Sequence, residues 1–312
     1  MTTERTTPDA ATTTRTLPGW AAVLIGIGAA VLGLLPWLVT GMRLPLQNLW
    51  TAQTLPGDMP VVMLPFSQYA ITLIIGLLVV GAGLGGLAAR LLRERMPRPG
   101  VWLILVGVVA VQFTAIVQTS AVVASGLKDR DGSGFYLGAL MAVAVLSAGF
   151  SILTFVLIAK APRGGAVVGL SMAALALGPW LNGLVVPFGT AATDEVYAFL
   201  GYLRWVPPML VGLAIAWGGV NTVGRVLGAL VGLLLVWIVP AIQTGIGNAA
   251  GSRVLANDLD EMRDFGVSVF FAALTLPEVA LPPLLVAILV AACGLVVRAL
   301  TRRSPAGAVA TD

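Results

Sequence analysis

Long apolar runs separated by short polar stretches dominate the chain of 312 residues. A helix rises 1.5 Å per residue, so about 20 apolar residues cross a hydrocarbon core of roughly 30 Å. Eight runs approach or exceed that length: residues 19–41, 69–89, 101–125, 135–159, 166–188, 204–220, 226–249 and 280–300. The sixth is the shortest. Residues 1–18 are Thr-rich and polar without a cleavable signal pattern, and read as a disordered tail, as do residues 304–312.

Composition narrows the class. Hydrophobic residues make up 58% of the chain and charged residues 10%, against about 25% charged in soluble domains. A soluble α/β enzyme and a disordered chain are both excluded. With no histidine and one cysteine, His/Cys metal sites, disulfide frameworks and His-dependent triads drop out too. The expected fold is all-α: a polytopic integral membrane protein with about eight transmembrane helices.

Lys and Arg in short loops orient such a protein. With the N-terminus in the cytoplasm, twelve of the eighteen lie inside and six outside, while ten of the fourteen acids lie outside. Both termini are therefore expected in the cytoplasm. The Arg-heavy, Ala- and Gly-rich composition points to a bacterial inner (plasma) membrane. The basic residues flank apolar spans, which accounts for the high pI without nucleic acid.

Four echoes divide the spans into two fours. Leu35-Pro36-Trp37-Leu38 matches Gly178-Pro179-Trp180-Leu181, and Gln118-Thr119 matches Gln243-Thr244 with the following small residues in step. Gly85-Gly86 before Arg90 matches Gly218-Gly219 before Arg225, and Pro162 after the fourth span matches Pro305 after the eighth. The reading is two four-helix repeats, residues 19–164 and 165–303, parallel because each unit holds an even number of spans.

No ionisable side chain sits at the centre of any span. Such groups are costly in lipid and usually functional, so proton relays and voltage sensors lose support. The polar groups at membrane depth are neutral, chiefly Gln112, Gln118 and Thr119 on the third span and Gln243, Thr244 and Asn248 on the seventh. Two readings stay open for Gln118 and Gln243: an interhelical hydrogen bond across the repeat interface, or the lining of a solute path. Pro240, three residues before Gln243, is the candidate helix break. Gly81/Gly85 and Gly224/Gly228/Gly232 are GxxxG ladders for close helix packing.

The last outer loop gathers Asp258, Asp260, Glu261 and Asp264 around Arg263. It is either a solvated acidic loop or an outer-face site for a cation or headgroup, and its apolar continuation after Gly266 is expected to turn back onto the membrane surface. The long first and last outer loops are expected to pack together as a cap. No catalytic constellation, metal site or cofactor motif emerges. The expected partners are the lipid bilayer and a second copy or another membrane protein. The leading expectation is a small permease or channel-like transporter for a neutral or hydrophobic solute; the alternative is a non-catalytic membrane subunit or scaffold of a cell-envelope complex.

Overall fold

A computed structural model describes residues 16–129, 132–252 and 258–303. Most of both expected tails, together with Arg130, Asp131 and Arg253, lies outside the described residues. Among those described, helices and short 3-10 turns account for the regular structure and no strand forms.

Helices α1 (Gly19–Gly33) and α2 (Leu35–Val39) follow the first apolar run, with a break at Leu34 just before Pro36. A partly extended segment with 3-10 turns leads to α3 (Ile71–Leu91), then α4 (Gly100–Gly126) and α5 (Ser133–Lys160). The remaining helices are α6 (Arg163–Val185), α7 (Asp194–Leu203), α8 (Val206–Gly218), α9 (Val223–Gly251), α10 (Leu259–Thr275) and α11 (Pro277–Arg303). Among the described residues, seven apolar stretches are long enough to cross a membrane, counting α7 and α8 together; α1 alone is shorter. The chain is thus a multi-pass membrane protein by length and composition. Mid-helix side chains such as Phe113, Leu146, Phe150 and Leu230 are exposed, an apolar surface that suits lipid rather than water.

The sixth run differs from the expectation of one helix over 204–220. Its helix begins at Val206 and ends at Gly218, and a separate α7 precedes it across a turn at Arg204-Trp205. Pro207 and Pro208 have no N–H to donate, so they suit the first turn of α8 and not a continuation of α7.

In the first half, α1 packs on α3 and α4, and α3 packs on α4 and α5. Similar pairings occur in the second: α6 packs on α8 and α9, and α8 packs on α9 and α11. Glycine permits the tightest crossing in each set. A Cβ on Gly107 would run into the α1 backbone at Val23, and one on Gly228 into the α6 backbone at Gly164. Helix α6 joins the two sets, lying against α3 and α5, with Trp180 Nε1 donating to Gly33 O at 2.8 Å.

Basic side chains gather at one end. Arg90 Nη1 donates to Ile158 O at 2.6 Å and Ala161 O at 3.1 Å, and Arg298 Nη1 donates to Ala216 O and Trp217 O at 3.0 and 2.7 Å. These are carbonyls at helix C-termini, where cations are favoured. Arg90 and Arg163 also lie over the Trp217 ring.

Candidate functional site

At the opposite end the two sets of helices part company. In the first set, residues 41–70 fold back over the helix ends and bury Leu44, Leu46, Met59, Val62, Leu64 and Phe66 completely or nearly so. Main-chain pairing of Arg43 with Val61 straightens the segment. Side chains from the helices then grip its backbone. Trp37 Nε1 donates to Val62 O at 2.8 Å. Gln118 Nε2 donates to Val61 O at 2.9 Å, and its Oε1 accepts from Met63 N at 2.9 Å. Thr119 Oγ1 accepts from Leu64 N at 3.0 Å. Gln118 and Thr119 therefore hold residues 61–64 instead of meeting Gln243 across a helix interface. The interhelical role falls to Gln112, which donates to Leu78 O on α3 at 3.0 Å and accepts from Ser151 Oγ on α5 at 2.8 Å.

In the second set, a cavity of about 760 Å³ opens between the same helix ends, within the range of small-molecule sites. Its walls come from α6 (Gly178, Pro179, Leu181, Asn182), the α7–α8 turn (Leu203, Arg204, Trp205, Pro207, Pro208), α9 (Val236, Pro240, Gln243, Thr244) and α11 (Glu278, Val279, Pro282, Pro283). Thr72 and Leu73 of α3 close it from the first set. Pro179, Pro240 and the Pro282-Pro283 pair lie inside their helices, each removing a backbone donor in the wall. Pro240 is not the expected helix break, since α9 runs unbroken from Val223 to Gly251 through it.

The lining is apolar with a few neutral polar groups. Among the described residues, the carboxamides of Gln243 and Asn182 make no protein hydrogen bond, while Thr244 Oγ1 donates to Pro240 O at 2.8 Å within its own helix. Arg204 and Glu278 are exposed at the mouth, and the Arg204 guanidinium lies 4.6 Å from the Trp205 ring centroid. Of the residues singled out in the sequence, Pro240, Gln243 and Thr244 reach this cavity. Asn248 does not, and donates from Nδ2 to Thr244 O one turn back at 2.9 Å. Asn182, a neutral polar group at membrane depth in the sequence, and Trp205, an interfacial Trp there, also reach the cavity, whereas Arg204 and Glu278 are added by the fold.

The remaining candidates take packing and capping places. Gly81 lies against α1 at Ala29 and Ala30, Gly85 against Val108 and Phe155, and Gly228 and Gly232 against α6. The space beside Gly224 is open, but its carbonyl blocks any side chain at Gly164. Asp258 caps α10, its Oδ1 accepting from Asp260 N at 3.1 Å and Glu261 N at 2.9 Å. Arg263 pairs with Asp260 at 3.3 Å and Asp264 at 3.0 Å, all well exposed. No group of three or more acids, His or Cys placed to hold a metal occurs among the described residues.

The segment after α9 packs differently from the expected cap shared with residues 41–70. Helix α10 instead runs back along α9, where Gly245, Ala249 and Gly266 allow close approach. Trp237 Nε1, near the middle of α9, donates to Leu274 O at 3.0 Å. The chain matches no protein-family model, no curated protein and no solved structure.

Proposed function

We propose that this protein is a small permease of a bacterial inner membrane, with eight spans in two parallel repeats and both termini in the cytoplasm, and that the second-repeat cavity takes a neutral, largely apolar solute. The cavity carries the reading: about 760 Å³ with unpaired carboxamides on Gln243 and Asn182 in apolar walls. Gln243 is half-buried and Asn182 exposed, so both amides are open to a ligand that accepts and donates hydrogen bonds there. The recurring helix pairings support the two repeats, α1 with α2 supplies the eighth span, and the cluster of Arg90, Arg163 and Arg298 supports assigning that end to the cytoplasm.

A non-catalytic subunit of an envelope complex is the second reading. It is favoured by one observation: the corresponding space in the first half is filled by polypeptide. Proteoliposome swelling with glycerol, 1,2-propanediol and 1,2-butanediol tests the first. Protein-dependent flux that falls at least about tenfold in Gln243→Leu is expected, a change worth about 1.4 kcal/mol. Flux absent from the wild-type protein, or unchanged in the variant, rejects the permease. A stoichiometric partner recovered from native membranes would then favour the subunit.

A further inference from the structure

The filled space and the open one are built from matching parts. Gln243-Thr244 stand where Gln118-Thr119 stand, and Pro179-Trp180-Leu181 where Pro36-Trp37-Leu38 stand. Counted back from the proline after each final helix, Pro283 takes the place of Leu140. Leu38 and Leu140 pack on the first-half segment, and their counterparts Leu181 and Pro283 line the cavity.

The first-half occupant shows what such a framework recognises. The carboxamide of Gln118 presents a donor and an acceptor side by side, and pairs with the C=O of Val61 and the N–H of Met63. Over residues 61–63 the chain is locally extended, so residues two apart turn these groups to the same edge. A tight turn follows, in which Phe66 N donates to Leu64 O at 2.9 Å and Leu64, Pro65 and Phe66 are all buried. The bound stretch, Met59–Phe66, carries no charge. In the second half, the short connection between α6 and α7 supplies no such segment, and the Gln243 fork is left without a protein partner among the described residues.

Resting on the reading of the cavity as a ligand site, we infer that its occupant is an extended, uncharged, largely apolar peptide segment whose main chain is read by Gln243 as Gln118 reads residues 61 and 63. A hydrocarbon chain would fill the walls but leave the half-buried Gln243 amide unpaired. A peptide edge satisfies both requirements.

The test uses the full-length protein in lipid nanodiscs, with empty nanodiscs as background. The probe is a fluorophore-tagged, C-amidated heptapeptide of sequence Pro-Val-Val-Met-Leu-Pro-Phe, and an analogue N-methylated at its methionine removes one main-chain donor. Saturable binding is expected, weakened about tenfold by N-methylation and further in Gln243→Leu, which deletes both main-chain hydrogen bonds. The N-methyl peptide should lose nothing more in that variant, because Gln243→Leu already deletes the bond that N-methylation removes. An unchanged melting temperature checks that Gln243→Leu is folded. Saturable binding indifferent to both changes overturns the inference. So does an absence of peptide binding: if Gln243-dependent diol flux persists, the ligand-site reading stands without it, and if neither is seen, both fall.

Discussion

The two halves of the molecule share helix pairings and differ in what lies over one end of them. In the first half, residues 41–70 return over the helices, and Trp37, Gln118 and Thr119 spend their hydrogen bonds on that segment's backbone. In the second, the connection after α6 is short and a cavity remains, while the long connection after α9 folds as α10 along α9. The same Gln-Thr pair is thus structural in one half and available in the other. What separates the two is not the residue but whether a connecting segment reaches it.

The largest effect should fall on what the halves have in common. Leu at Gly107 or Gly228 would collide with main chain of the neighbouring helix, and each should cost about 3 kcal/mol or more. Size-exclusion profiles of detergent-extracted protein should show loss of the folded peak for both; tolerance at one site alone would mean that the crossing is not a shared element.

Next comes the sharpest contrast. Gln118→Leu strips two partners from residues 61–63. The bond to Val61 O is exposed and the one from Met63 N part-buried, so it should destabilise by about 1–3 kcal/mol, the cost of one buried polar group left unpaired. Gln243→Leu should change stability by less than about 0.5 kcal/mol. Thermal melts of the two variants side by side decide this, and equal losses would break the comparison.

Trp37→Phe and Trp205→Phe extend it at lower amplitude. The first loses the bond to Val62 O and should cost about 1 kcal/mol. The second keeps the ring beside Arg204 and should be close to neutral by the same melts. Smallest and most local, Asp258→Ala removes the α10 cap, worth about 1 kcal/mol in helix stability. Hydrogen exchange should rise in the first turn of α10 and stay unchanged in residues 59–66.

Apolar run length located the long helices well: the third run, 101–125, became Gly100–Gly126, and the seventh, 226–249, became Val223–Gly251. Span length is a local property, set by the apolar composition of one stretch of chain. The roles of the polar residues are not local. Gln118 finds its partner 57 residues away in the chain, and nothing in the pattern around Gln118 distinguishes it from Gln243. Helix α7 was missed because it is only 10 residues long and opens on Asp194-Glu195, which reads as loop when apolar run length is the criterion. The cavity was illegible for the same reason that the matching motifs were legible. Matching motifs reveal a matching framework, and the difference lies in the connections.

Cysteine labelling from the side opposite the Arg90–Arg298 end tests the central contrast most directly. In a Cys293→Ser background, Gln243→Cys and Ala115→Cys are exposed to a membrane-impermeant maleimide. Ala115 is fully buried beneath the filled end of the first half, whereas Gln243 lines the open cavity. The account predicts rapid labelling at position 243 and none at 115 in folded protein. Equal labelling at both, or protection of 243, would contradict it.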